Sequence, residues 1–462
     1  MDATDLMLGA WEDLVAGSAD GAPSPVEITG AGGLLASHLP VEEVAAACVG
    51  LALSSAATLQ RQRTGSTSHA ALDRAHVASA VRSERHFRQD GSPGGLGFAP
   101  LSRFWATSDG WIRTHANYPW HRAALLSALA TAPDVDDIEA AMAERLAEDI
   151  EQAVFAAGGV AGAVRTLEAW ASHPQGRAVA SEPLIGHRLA GDAPPRVRRV
   201  GQAGDLPMEG VRVLDLTRVI AGPVCTRYLA ALGAEVLRVD PPDHPDLPPG
   251  QPGDTLLAKR STLVDFDTPE GARTLHDLID LADVVVCGYR PGSLGRFGLG
   301  AEQLADRHPG LVVLHLSAWG FTGPWSDRRG FDSIVQAPSG IAMSESSTGT
   351  EPGALPCQLL DHGTGYLAAA AVLDGIRRQE VSGGTHVRQV SLARTAWWLT
   401  SLPRAARSSD ETAGADVSTW LVDLVSSRGP IRAVSPPGRL GGRALGWPSF
   451  ATGYGDDRPA WR

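Results

Sequence analysis

The sequence predicts an α/β protein with a large domain on a doubly wound, Rossmann-like parallel sheet and a smaller α+β domain. Three observations carry this. The second half alternates short apolar strands with amphipathic helices, the pattern of a parallel sheet with crossovers. The first half holds a strand–turn–strand unit followed by helical spacing. Hydrophobic residues make up 43% and charged residues 20% of the 462 positions, so the chain can pack cores and is not globally disordered.

The elements follow in order. Residues 1–35 are rich in Gly, Ala, Ser and acids and are expected to form a loosely packed leader. From Val41 to about Gln60 the pattern is an alanine-rich helix, and residues 91–100 (GSPGGLGFAP) form a glycine-rich loop. FWATSDGWIRTHA reads as two strands around an Asp109-Gly110 turn. Residues 119–173 look helical, with acids and apolar residues at i, i+3, i+4 spacing. Residues 183–207 read as a linker or a returning extended segment. Val211–Leu216 is a buried strand, followed by a helix that starts at Gly222-Pro223 and ends at Leu232-Gly233. Glu235–Asp240, TLVDF, Val284–Cys287 and Leu311–Leu316 continue the strands, with PEGARTLHDLIDLAD as an intervening helix. Residues 41–78 also align without gaps to 359–396, offset by 318: alanine-rich helix, arginine-rich end, glycine turn, strand.

Composition excludes several functions. Forty cations against 52 acids give a net charge of −12, which disfavours nucleic acid. Lys259 is the only lysine, so 39 of the cations are arginine. Cys48, Cys225, Cys287 and Cys357 are scattered, against a disulfide framework or a zinc site, and no metal is expected. The acidic N-terminus lacks a basic, then apolar, signal pattern, and no apolar run reaches the ~18 residues of a membrane span. A soluble cytoplasmic protein with no membrane partner is the expectation. P-loop, GxGxxG, HExxH and GxSxG motifs are absent from the sequence. What remains is a sheet whose strand ends carry Gly and Arg. Arg218, Lys259, Arg260, Arg290, Arg296, Arg328 and Arg329 are expected near one edge, where guanidinium forks suit phosphate groups.

The residues resemble a known family. VRVLDLTRVIAGPVCTRYLAALGAEVLRVDPP is similar to the opening of the class III CoA-transferases, the formyl-CoA and carnitine CoA-transferase family. KRSTLVDFDTPEGARTL, ADVVVCGYRPGSLGRFGLG, GFDSIVQAPSG and LLDHGTGYLAAAAVLDGI follow in that family's order. Residues 36–200 resemble the family's tail, in an unusual position ahead of the main segment. The organisation read from this is a leader (1–35), a partial repeat of the family's helix segment (36–92), a small domain (93–182), a returning segment (183–207), a CoA-binding large domain (208–400) and a second returning segment (401–462). Glu43 takes the place of Asp361 in the first copy, so one active site per chain is expected.

The resemblance implies transfer of CoA from an acyl-CoA to a free carboxylic acid, with acyl-CoA as substrate, no tightly bound cofactor and a homodimeric assembly. Asp361 matches the catalytic aspartate, and a carboxylate can attack a thioester to form a mixed anhydride and then an aspartyl-CoA. The matched CoA contacts are Ile220, Ala221, Leu256, Leu257, Ala258, Gly288, Tyr289, Arg290, Arg296, Arg329, Gly330, Phe331 and Asp332. Gly94, Gly95 and Gly97 match a mobile glycine loop that shields anhydrides from water. The chain departs from the family at Pro241, where an arginine is usual, and at Gly288, where an asparagine is usual. Two other readings compete. A 2-methylacyl-CoA racemase would need a histidine where Phe331 stands. A non-catalytic CoA-binding subunit would not need to retain Asp361 in DHGTG.

Overall fold

A computed structural model describes residues 1–16, 21–94, 97–196, 206–405, 416–448 and 450–462. The chain opens with α1 (Ala3–Leu14), β1 (Val26–Thr29), α2 (Val41–Thr64), β2 (Ala70–Asp73), α3 (Arg74–Ala80), α4 (Ser83–His86), β3 (Arg88–Gln89) and β4 (Ser92–Pro93). The expected loose leader is instead a packed helix. Leu6, Met7, Ala10, Trp11 and Leu14 recur at helical spacing and are buried, and Asp2 and Asp5 form a capping box.

The small domain follows: β5 (Phe104–Ala106), β6 (Trp111–Thr114), α5 (Pro119–Leu129), α6 (Val135–Ala143), α7 (Ala147–Ala156), β7 (Ala161–Ala163), α8 (Leu167–Ser172) and α9 (Pro174–Ser181). β5 and β6 are antiparallel, with Ala106 opposite Trp111 across the Asp109-Gly110 turn. The continuous helical pattern expected over 119–173 is broken by β7, which pairs with β6. Trp105, Ile112, Leu125, Ile138, Met142, Ile150 and Val154 form this unit's own core.

Next come β8 (Gly186–Gly191), β9 (Arg212–Leu216), α10 (Ala221–Ala231), β10 (Glu235–Asp240), β11 (Arg260–Leu263), α11 (Pro269–Asp280), β12 (Val284–Cys287), α12 (Ala301–Arg307), β13 (Val312–Ser317), α13 (Asp332–Val335), α14 (Ile341–Ser344), α15 (Leu359–Ser382), β14 (Thr385–Ser391) and α16 (Leu392–Ser401). The seven-stranded sheet has the order β11-β10-β9-β12-β13-β14-β8. All neighbours are parallel except β8, the returning segment, which runs antiparallel to β14. Alternate residues serve opposite faces, as the pleat requires. Val213, Val284, Val286, Val312 and Leu314 face the α10, α15 and α2 layer, whereas Leu214, Val285 and Val313 face α11 and α12. The strand order reverses between β9 and β12, which makes their carboxyl ends the switch point where ligands of such sheets bind.

α15 is apolar all round because it is covered all round. Gly375 lets it lie on β13, where a Cβ would come within 2.6 Å of Val312, and Gly365 lets it press on α10, within 2.6 Å of the Ala221 carbonyl. Its other neighbour is α2, also 24 residues long. Arg63 bonds Glu380 across the pair. Among the described residues, α2 is the one helix long and apolar enough to cross a membrane, and it is buried inside the protein. α2 and α3 begin at Val41 and Arg74, α15 and α16 at Leu359 and Leu392, so both pairs share one offset.

The last elements are β15 (Leu421–Ser426), β16 (Gly429–Val434), β17 (Arg439–Leu440), β18 (Arg443–Ala444) and β19 (Phe450–Ala451). The C-terminal stretch does not return to the seven-stranded sheet. β15 and β16 join the β3–β4 hairpin in a separate sheet, and β17 pairs with β2.

Candidate active site

Asp361 lies in the first turn of α15, where a carboxylate interacts favourably with the helix dipole. It is 4% exposed, and its Oδ2 is buried without a hydrogen-bond partner. Burial first, then the neighbouring charges of Asp332 and Glu84, hold its carboxyl well above the usual range. Asp332, at the start of α13, is fully buried and accepts the Asp361 backbone N–H at 3.1 Å. Burial pushes Asp332 up to about 6 despite this bond and that from Gln336. His362, also fully buried, shares a 3.0 Å hydrogen bond with Glu84 of α4, and its Nδ1 has no partner. Burial raises Glu84, but the bond to and charge of His362 outweigh it and leave the carboxyl below its usual range. Three carboxylates and an imidazole thus crowd one helix end, with Asp361 Oδ2 and Glu84 Oε1 buried and without a hydrogen bond.

The switch point supplies the second part. Val219, after β9, has φ +66°, a strained conformation for a β-branched residue. It is held there by Asp246, which accepts the Val219 N–H at 3.0 Å. Ile220 and Ala221 follow at the start of α10. Gly288 ends β12, and a Cβ there would sit 3.1 Å from Thr217, so glycine allows the two strand ends to close up. Tyr289 is half-buried, and its hydroxyl has no partner. Burial pulls Arg329 down from its usual value, and the nearby Arg290 charge adds to this. Burial also pulls His121 down to about 4, reinforced by Arg329, Arg218 and His244. Arg290 and Arg329 therefore form a positive pair beside the switch point, with Arg218, itself paired with Asp246 at 3.9 Å, close to His121 as well.

Several expected contacts fall elsewhere. Leu256 and Leu257 precede β11 with no exposed surface, and Leu257 packs in a core with Phe87, Leu424 and Ile431, so neither offers a side chain to a ligand. Ala258, with φ +63°, is the turn between them and β11. Asp332 faces α15, as above. Arg296 is 67% exposed and pairs with Asp267 at 2.9 Å. Lys259 is buried on Asp215 at 2.8 Å, and burial lowers it to about 8. Arg260 pairs with Asp457, and Arg328 packs on Phe155 and Trp325. The expected row of seven cations is thus divided among structural partners, because carboxylates distant in sequence reach most of them first. Gly330 packs under Trp319, whose Nε1 donates to the Arg329 carbonyl.

The small domain adds residues that sequence reasoning missed. His115 stacks on Phe331 with centroids 3.8 Å apart, and His121 meets the same ring edge-on at 5.7 Å. Their Nδ1 atoms are buried and unpartnered. Burial, helped by His121 and Arg113, lowers His115 to about 3, so the imidazole is neutral. The signal was present in WIRTHA: Arg113 and His115 alternate with Ile112 and Thr114 and so share a strand face. Glu84 carried no such signal, since its partner lies 278 residues away. Gly94 follows the β3–β4 hairpin so closely over Phe87 that a Cβ would approach the ring to 2.4 Å. The Gly97 carbonyl and the Ala99 N–H are held by Asn117. Gly95 lies outside the described residues.

Comparison with known proteins finds relatives for part of the chain. Residues 208–418 match the model of CoA-transferase family III. A probable fatty acyl-CoA transferase of Mycobacterium tuberculosis is 34% identical over 198 residues, covering 40% of this chain and 50% of that protein. The beta subunit of succinyl-CoA–L-malate CoA-transferase from Chloroflexus aurantiacus is 37% identical over 197 residues, 40% of this chain and 48% of the relative. Human succinyl-CoA:glutarate CoA-transferase is 34% identical over 188 residues, 38% and 43% of the two chains. The crystal structure of the M. tuberculosis protein aligns over 42% of this chain and 58% of that one, at 34% identity and a TM-score of 0.39. The chain spans about half the length of the curated relatives it matches.

Proposed function

We propose that this chain, whose residues 208–418 match CoA-transferase family III, moves CoA from an acyl-CoA to a free carboxylic acid, with Asp361 as nucleophile. The observation that carries this is the unbonded, buried Asp361 Oδ2 at the start of α15. The Asp361 carboxylate attacks the thioester carbonyl, the C–S bond breaks, and CoA leaves as thiolate with a mixed anhydride behind. The thiolate then attacks the Asp361 acyl carbon and releases the donor acid, leaving an aspartyl-CoA thioester. The acceptor carboxylate displaces CoA from that thioester, and the returning thiolate takes the acceptor acyl group and restores Asp361. The cycle has no net redox change and no net proton.

The surroundings support these steps. The burial of Asp361, which is 4% exposed, keeps water from the anhydride. The Asp332 contact to the Asp361 N–H fixes the helix end, so Asp332 acts as a positioning residue. Ile220, Ala221, Gly288 and Tyr289 line the switch point as the path for CoA, and Arg218, Arg290 and Arg329 are the cations offered to its phosphates. The test is Asp361→Ala in an acyl-CoA/acid exchange assay. We expect exchange to fall by on the order of 10³ or more while CoA binding persists, with hydroxylamine trapping a hydroxamate on Asp361 of the unmodified enzyme. Exchange at the unmodified rate in Asp361→Ala would end this assignment.

A further inference from the structure

Glu43 and Asp361 hold the same place in the two aligned helix pairs, 318 residues apart, and the fold treats them differently. Arg74 donates to both Glu43 oxygens, at 2.8 and 3.0 Å, and so fixes that carboxylate. The residue matching Arg74 in the second pair is Leu392, which has nothing to donate. Asp361 keeps a buried Oδ2 without a hydrogen bond, so its direction is set by the turn that carries it. Asp332 of α13 holds that turn by the Asp361 N–H, at 3.1 Å. The next residue, His362, is fully buried, and its Nε2 lies 3.0 Å from Glu84 Oε2. Glu84 is ionised and has no proton to give, so it accepts from Nε2–H and fixes the tautomer and direction of the ring. Two contacts from different elements, α13 and α4, therefore grip the first turn of α15.

α4 is anchored on the large domain. Ser83 donates to Asp254 at 2.8 Å and accepts from Arg227, which pairs with Asp254 in turn. Phe87, which ends α4, is buried with Leu257, Leu424 and Ile431. The two halves of the chain also exchange strands. β8 of the first half pairs with β14 at Arg388 and Gln389, and β17 of the second half pairs with β2 at Ala70 and Ala71, the same two positions under the offset of 318. A first-half residue in the Asp361 site thus belongs to the architecture. The charged groups around Glu84 are His362, Arg85 at 3.7 Å, Arg82 and the Arg227–Asp254 pair. Those that act on Asp361 are Asp332 and Glu84.

We propose that Glu84 is a positioning residue for the exchange at Asp361, acting through the His362 imidazole. This rests on the reading of Asp361 given above. The test is a double-mutant cycle on kcat with Glu84→Ala, His362→Ala and both together. Glu84→Ala should lower kcat by about ten- to a hundred-fold, because it frees the turn that aims the nucleophile. KM for acyl-CoA should change by no more than about two-fold. The double variant should be about as slow as the slower single one, since each change breaks the same link. Losses that multiply would overturn the role through His362. Glu84→Gln keeps an oxygen for the ring and loses the charge, so it should recover most of kcat, with the alkaline-rising limb moved to lower pH. A variant as slow as Glu84→Ala, with the limb unmoved, would also overturn it. Carbon-13 NMR of the Asp361 carboxyl, in protein labelled at aspartate, reads the same coupling without turnover: its titration midpoint should fall in Glu84→Gln. Hydroxylamine trapping at Asp361 tests the nucleophile separately. A trapped hydroxamate with an unmoved midpoint would end the role of Glu84 alone. A moved midpoint with no hydroxamate would end the Asp361 reading, and with it any part of Glu84 in exchange.

Discussion

Replacing Asp332 by asparagine should stabilise the protein, and increasingly so as pH rises. Asp332 is fully buried, and its carboxyl is pushed from 3.8 to about 6. A raised carboxyl binds more protons folded than unfolded between those values, so it removes stability as pH rises through that window. The penalty is about 1 kcal/mol at pH 4.5 and about 3 kcal/mol at pH 7.5. Asparagine carries no charge and keeps an oxygen for the Asp361 N–H. It cannot accept as many bonds, which costs about 1–2 kcal/mol at either pH. The variant should therefore be close to neutral at pH 4.5 and more stable by about 1–2 kcal/mol at pH 7.5. A chain of this size shifts by about 1 °C per kcal/mol, so the difference in Tm between variant and unmodified protein should grow by about 2 °C across that range. Thermal unfolding in matched buffers measures it. A difference that stays flat or shrinks with pH would refute the reasoning, because it would mean that the Asp332 carboxylate is compensated in the folded state. The same substitution removes one of the charges that raises Asp361, so the alkaline-rising limb of exchange should move to lower pH.

Two further outcomes follow from buried contacts. Lys259→Met leaves Asp215 charged and fully buried, and should cost about 3–5 kcal/mol in urea unfolding; a loss below about 1 kcal/mol would show that the Thr217 and Thr226 hydroxyls alone satisfy Asp215. A fragment of residues 206–462 bares the α15 face that packs on α2 and loses Glu84, Arg113 and His115; it should aggregate or bind CoA without exchange, and a soluble, fully active fragment would contradict that packing.

The parallel strands were legible because strands covered on both faces are nearly continuous apolar runs: VVVC and LVVLHL have few other readings. Their order was not, since nothing local makes β9 lie between β10 and β12. The leader was misread although its pattern was available. Residues 3, 6, 7, 10, 11 and 14 form a helical stripe behind an Asp2 cap, and the abundance of small and acidic residues hid it. β7 went unseen for the opposite reason: GGVAGAV has too few large side chains to show any period, and it becomes a strand only by pairing with β6.

The site divides along the same line. Asp361 and the switch-point loops are local motifs, each readable in a few residues. Part of their surroundings comes from the half of the chain that precedes them: Glu84 on His362, and His115 on Phe331. Arginines were the least legible. Local pattern gave Arg218, Lys259, Arg260, Arg290, Arg296, Arg328 and Arg329 one common role, yet folding assigned Lys259 and Arg260 to aspartates and Arg328 to aromatic rings. The informative arginine, Arg113, was unremarkable in sequence. What distinguishes it is a missing partner: the assembled fold surrounds it with two phenyl rings and brings it no carboxylate among the described residues. The first half of the chain therefore does more than cover the α15 face, because it supplies the Glu84 charge that helps to raise Asp361.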